Sequence, residues 1–138
     1  MKRNLLCMTA PVREGFDIPC HEIGPKSPHP AVALVAGLHG DEINGVEIAR
    51  HSHAESDPAA LSGTLISVPI VNVWGFRSGN RMLPDRRDLN RGFPGNRTGS
   101  TASQIAFNLF DRVIRHCEFL VDLHTGSNLR TNLPQVRV

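Results

Sequence analysis

The absences in this chain narrow it before its motifs do. No apolar run approaches the ~20 residues needed to cross a bilayer, so no membrane partner is expected. A secretory leader is not expected either: in "MKRNLLCMTA" only "LLCM" is apolar before Thr9, which is too short for an h-region. The three cysteines, Cys7, Cys20 and Cys117, form no CxxC pair, which argues against a cysteine zinc knuckle or redox dithiol and fits a reducing, cytoplasmic setting. Aromatic residues are 5% and the formal charge is only +2. A general nucleic-acid surface, which needs excess cations and interleaved stacking rings, is therefore not expected. Lysine is nearly absent: of fifteen basic residues two are lysine and thirteen arginine. No repeat or low-complexity tract occurs, and 138 residues allow one modest core.

The chain contains alternating strand and helix signals. "NLLCM" and "FDIPCHEI" read as an opening strand pair bounded by "REG" and "GPKSPHP". "AVALVAGLHG" (31–40) is a continuous small and β-branched run, the pattern of a strand buried on both faces. From Asp41 a helix is expected, with Ile43, Val46, Ile48 and Ala49 on its inner side and Asp41 or Asn44 as cap. "GTLISVPIVN" (63–72) predicts a second buried strand. Residues 74–99 predict a long irregular loop of the kind that usually serves function. "STASQIAFNLFDRVIRHC" predicts an amphipathic helix through Ile105, Ala106, Leu109, Phe110, Val113 and Ile114, with Thr101 and Gln104 as a capping box. "EFLVDLHTGS" follows as a third buried strand, and "NLRTNLPQVRV" begins like a fourth and stops. This alternation predicts an α/β fold with a mostly parallel or mixed sheet flanked by helices.

In such sheets ligands collect at the carboxyl ends of strands. His39 and His124 lie at two such ends, and Glu42 sits in the turn or first helical turn after His39. Histidine and glutamate three apart is by itself a weak signal. Two imidazoles and a carboxylate converging from these points can, however, hold one tetrahedral Zn2+ and leave its fourth position to water. Between residues 77 and 97 six arginines meet two aspartates. Guanidinium groups grip carboxylates through two parallel hydrogen bonds, which lysine cannot do.

"GLHGDE", "RDLNRGFPG" and "VDLHTGS", in this order, resemble the succinylglutamate desuccinylase and aspartoacylase family, a branch of the zinc carboxypeptidase fold. The resemblance runs from about Ala31 to "RTNLPQVR". It implies that His39, Glu42 and His124 bind zinc, and that Asn90 and Arg91 hold a substrate carboxylate. It further implies that Asp88 supports His39 and that Arg81 polarises the scissile carbonyl, with Arg86 as the alternative arginine. The implied activity is hydrolysis of N-acyl amino acids or similar small carboxylates by zinc-activated water. Asp122, two residues before His124, is either a support for that ring or a satisfied core carboxylate.

Members of the fold use a glutamate well downstream of the third ligand as general base, and no glutamate follows His124 here. Glu47, Glu55 and Glu118 are the upstream acids that could replace it. Residues 1–138 are therefore expected to be the zinc-binding portion of a truncated catalytic domain. A non-catalytic zinc module and a carboxypeptidase are the alternative readings. A sheet cut short exposes an edge strand, so self-association is expected, which size-exclusion chromatography would check. His51 and His53, two apart near a helix end, read as surface residues, and His21, His29 and His116 have no partners by spacing. Trp74 and Phe76 read as core or loop anchors.

Overall fold

The computed structural model describes the backbone of residues 2–9 and all of residues 17–25 and 30–138. The "REG" turn, His29 and the side chain of Cys7 lie outside the described residues. In chain order the elements are β1 (Lys2–Thr9), β2 (Asp17–Ile23), β3 (Ala31–Ala36), α1 (Ile43–Glu55), β4 (Thr64–Val68), α2 (Val73–Ser78), α3 (Thr101–Arg112) and β5 (Phe119–Leu123). Short 3₁₀ turns occupy Leu89–Arg91 and Ile114–His116.

The five strands form one mixed sheet in the order β1-β2-β4-β3-β5. β1 with β2 and β2 with β4 are antiparallel, while β3 is parallel to both β4 and β5. Side chains alternate across a strand, and β3 divides accordingly. Ala33 and Val35 join Ile18, Val68, Ile105, Ala106 and Leu109 in the core beneath α3. Leu34 and Ala36 face the other way, onto Ala49 of α1, with Leu65 and Leu123 beside them. The result is three layers, α3 against one face and α1 against the other. Each fully buried Ile or Leu in these layers contributes roughly 1.5–3 kcal/mol by leaving water.

β3 lies between β4 and β5, and its two crossovers run on opposite faces. This is a topological switch point, where a crevice opens at the strands' carboxyl ends. Ala36 pairs with Leu123 in the register, so His39 follows three residues beyond one strand and His124 one residue beyond its neighbour. Two histidines 85 positions apart in sequence thereby become neighbours.

Several local expectations are corrected by packing. β3 and β4 end at Ala36 and Val68, earlier than the apolar runs suggest. In α1 the buried residues are Gly45 and Ala49, while Ile43 and Ile48 stand 59% and 52% exposed. Neither Asp41 nor Asn44 caps that helix; Glu42 holds the cap position without a side-chain cap bond. The loop at 74–99 contains α2 and a 3₁₀ turn. At α3 the cap is Ser100, whose Oγ accepts the Ser103 amide, and the Gln104 amide reaches Gly99 instead of forming the expected box with Thr101. α3 ends at Arg112, and Phe110 is exposed.

The largest correction concerns β5. Its composition suggests burial on both faces, yet it is the sheet's edge strand and Phe119, Leu120 and Val121 are 63%, 48% and 44% exposed. Beyond it, residues 131–138 form no strand and are exposed.

Candidate metal centre

Each site residue is delivered by an element end. The turn after β3 carries His39, the residue before α1 is Glu42, and β5 runs into His124. One ligand atom from each of the three lies within 4.8 Å of the others. Glu42 and His39 are nearly fully buried. His39 Nδ1 lies 2.8 Å from Glu42 Oε1, and His124 Nδ1 lies 2.9 Å from Glu42 Oε2. The two rings are tilted, with centroids 4.9 Å apart.

The far nitrogen of each ring also meets a carboxylate. His39 Nε2 donates to Asp88 Oδ1 at 3.0 Å, and His124 Nε2 donates to Asp122 Oδ2 at 2.8 Å. A ring held this way keeps its Nε2 proton and turns Nδ1 toward the common point, the arrangement that orients metal-ligating imidazoles. The donor set fits zinc. Ligand atoms bound tetrahedrally at ~2.0–2.1 Å stand about 3.3 Å apart, so the contacts of 2.8 and 2.9 Å would open by a few tenths of an ångström and the widest separation, within 4.8 Å, would close.

Asp88 organises the arginine-rich loop as well. Its Oδ1 accepts the Asn90 amide, starting the 3₁₀ turn, and its Oδ2 accepts Arg81 Nη2 at 3.2 Å. Arg81 Nη1 donates to Glu42 Oε1 at 3.1 Å and to Ser127 Oγ at 2.7 Å. Arg86 is exposed at a positive φ of 60°, and of the two arginines it is Arg81 that contacts Glu42 and Asp88. Asn90 and Arg91 are exposed, Arg91 reaching Asp88 only at 3.9 Å.

The loop after His124 is tied back to the turn after β3. The Thr125 amide donates to Glu42 Oε2, and Asp41 accepts Ser127 Oγ and the Asn128 amide. Asp122, Ser127 and Asp41 are therefore part of the site. Only Asp122 carried a sequence signal, through its shared strand face with His124.

Burial alone would raise the Glu42 carboxyl, but the Thr125 amide and the two imidazoles hold it below the usual glutamate value. Asp88 behaves alike: burial raises it, and His39 and Arg81 outweigh that. The Asp122 hydrogen bond, working against burial and with Glu42, raises His124 above the ordinary imidazole value. Depressed carboxyls stabilise the fold above their unfolded values near ~4, and that stabilisation is lost as pH falls through the lower folded values. The raised His124 stabilises below ~6.5 and ceases to do so as pH rises through its folded value. Chelator-treated protein is therefore expected to be most stable between about pH 5 and 6.5. Zinc requires Nδ1 without its proton, so the stabilisation zinc adds is expected to grow above that window. Thermal unfolding from pH 4 to 8, with and without zinc, checks both; a zinc effect as large at pH 5 as at pH 8 would contradict imidazole ligation.

The remaining histidines lie elsewhere. His51 is exposed beside Glu47, and His116 is exposed and donates to the Asp111 carbonyl. His53 is not a plain surface residue: it is half-buried, its ring 4.9 Å from that of His21. Trp74 is half-buried and Phe76 exposed.

A sequence model of the succinylglutamate desuccinylase/aspartoacylase catalytic domain matches residues 28–138. An N-alpha-acetyl-L-2,4-diaminobutyric acid deacetylase of Halomonas elongata is 33% identical over 107 residues, which are 76% of this chain and 31% of that protein. Among solved structures, a succinylglutamate desuccinylase/aspartoacylase from Rhodobacter sphaeroides superposes with a TM-score of 0.76 at 31% identity, over 82% of this chain and 35% of that one. The product-bound ectoine utilization protein EutE (DoeB) from Ruegeria pomeroyi gives 0.73 at 34% identity, over 81% of this chain and 34% of that one. The chain thus spans about a third of the length of these relatives.

Proposed function

This chain belongs to the succinylglutamate desuccinylase/aspartoacylase catalytic-domain family, and on that premise we propose that residues 1–138 form the zinc-binding portion of a deacylase. The proposed substrates are N-acyl amino acids or similar small carboxylates, consistent with the deacetylase relative. One observation carries the reading: His39, Glu42 and His124 converge within 4.8 Å, and each imidazole is backed by its own aspartate. Such backing is the arrangement of a metal ligand, and a surface histidine has no need of it.

Zinc, when bound, supplies a Lewis acid that activates water and polarises a carbonyl. The protein's own groups do the rest. Asp88 and Asp122 keep the ring protons on Nε2, leaving Nδ1 free for the metal. Arg81 lines the cleft next to the ligands, and its guanidinium donates to the acyl oxygen as charge gathers there. Asn90 and Arg91 anchor the substrate carboxylate at the rim, Arg91 through paired N–H groups.

A second reading, a zinc module without turnover of its own, is favoured by the placement of the acids. Glu47 pairs with Arg50 and His51, Glu118 accepts the Ala31 amide, and Glu55 ends α1 in solvent. Among the described residues no further glutamate reaches the cluster to serve as general base.

The test is release of free amino acid from N-acyl amino acids by the purified protein. Hydrolysis abolished by a chelator and restored by zinc supports the deacylase. Stoichiometric zinc with no hydrolysis of any N-acyl amino acid supports the module. A cytoplasmic setting is part of this reading, and no helix among the described residues is long and apolar enough to cross a membrane.

A further inference from the structure

α1 meets the candidate metal centre at its first turn, where Glu42 precedes it, and carries a second histidine pair at its other end. His53 stands in the last turn, about 16 Å further along the helix axis. The sheet explains why this residue turns inward. In the register of β2 with β4, His21 lies opposite Ser67, so the two side chains share one face. Ser67 is fully buried, and its Oγ donates to the Ala49 carbonyl of α1 at 3.1 Å, which identifies that face as the one beneath the helix. His53 follows Ala49 by one helical turn and comes down on the same face.

β2 and α1 thereby bring two half-buried imidazoles together, with ring centroids 4.9 Å apart and planes tilted by 31°. The rings of His39 and His124 stand at the same separation of 4.9 Å. His53 has other contacts, but its Nδ1 is closed off from water and takes part in no hydrogen bond among the described residues. A buried polar nitrogen in that state is costly, and an ion bound at it would recover the loss. The free carbonyl ends of the last helical turn add partial negative charge, which favours a cation at this end of α1.

Paired imidazoles suit borderline transition metals, whereas Mg2+ and Ca2+ seek oxygen donors. We propose that His21 and His53 form a second metal site, which takes a divalent ion of the Zn2+, Ni2+ or Cu2+ class with water completing the coordination. No third histidine, cysteine, aspartate or glutamate among the described residues completes a cluster there. With two protein donors where the first centre has three, the second site binds about 1,000-fold more weakly, so it empties during purification and fills when metal is added. A bound ion ties β2 to the end of α1. The site shares no residue with the first centre and does not depend on the deacylase reading.

Zinc-loaded, desalted protein is titrated with Cu2+, the strongest binder of the class. Zinc content is followed by elemental analysis, and pulsed electron paramagnetic resonance counts the imidazoles on copper. One Cu2+ per chain is expected, held by two imidazoles, with zinc unchanged at one per chain. His21→Gln and His53→Gln should each weaken copper binding at least about 10-fold and remove an imidazole from it, while His51→Gln changes neither. Retained zinc shows that a variant is folded; should either substitution unfold the chain, the imidazole count of the unsubstituted protein decides. If the first centre takes no zinc, the same titration in His39→Ala protein removes that centre from the count. No copper bound, copper with fewer than two imidazoles, copper taken up only as zinc leaves, or binding unchanged in either variant overturns the site.

Discussion

Elemental analysis of the purified protein is expected to find one zinc per chain, and His39→Ala or His124→Ala to reduce it to background. Each substitution removes one of three converging donors. Structural zinc sites in small domains bind with apparent energies of ~10–16 kcal/mol, so losing one of a few ligands costs on the order of 1,000-fold in affinity or more. The aspartates behind the rings provide a graded control. Asp122→Asn and Asp88→Asn are expected to weaken binding about 10- to 100-fold without abolishing it. Asp88→Asn should do more, because Asp88 also holds Arg81 and the Asn90 amide. Stoichiometric zinc in a folded His39→Ala protein would mean that the metal sits elsewhere. His39 is buried, so circular dichroism of each variant must accompany the metal measurement.

Gly40→Ala is expected to damage fold and site together although it removes no functional group. A Cβ at position 40 would lie 2.0 Å from the Gly75 carbonyl carbon, 2.2 Å from the Phe76 nitrogen and 2.5 Å from the Asn80 oxygen. All three are backbone atoms, so no side chain can step aside. Either α2 moves or the turn carrying His39 and Glu42 does. The expected loss is about 3 kcal/mol, the upper range for overpacking, read from the urea midpoint. Zinc affinity should fall about 100-fold, since ligands displaced by an ångström no longer meet. Gly79→Ala is the comparison. Its φ is +63° with nothing within 4 Å, so it should cost only about 1 kcal/mol and leave zinc binding intact. A Gly40→Ala protein as stable as the unsubstituted one would show that the two segments do not touch.

The same residues show which features could be read along the chain. The positions of His39 and His124 were legible because each follows a continuous apolar run, whose break marks a strand end, and Glu42 because it opens the helical pattern three residues later. The core face of α3 was legible for a similar reason: Ile105, Ala106 and Leu109 repeat at helical spacing and are all buried. The inner face of α1 was not. Pattern reasoning favours large apolar residues, but the helix lies so close to β5 that a Cβ on Gly45 would stand 2.9 Å from Leu123 Cβ. Small residues therefore face inward, and Ile43 and Ile48 turn outward. β5 misled for the opposite reason. A continuous apolar strand records what a segment can bury, and its edge position leaves much of that surface exposed.

By itself the sequence determined the alternation of strand and helix, the residue types able to hold a metal, and the concentration of guanidinium groups in one loop. These are properties of short windows, where hydrophobic period and side-chain chemistry act locally. The tertiary structure decided the partnerships: Asp88 with His39, 49 positions apart, Arg81 with Glu42, 39 apart, and Ser127 with Glu42, 85 apart. It also decided that Arg81 and Arg130 face the cleft while Arg86 does not. Such contacts depend on the parallel register of β3 with β5 and on a loop folded back over Gly126. Neither leaves a periodic trace in the residues that take part.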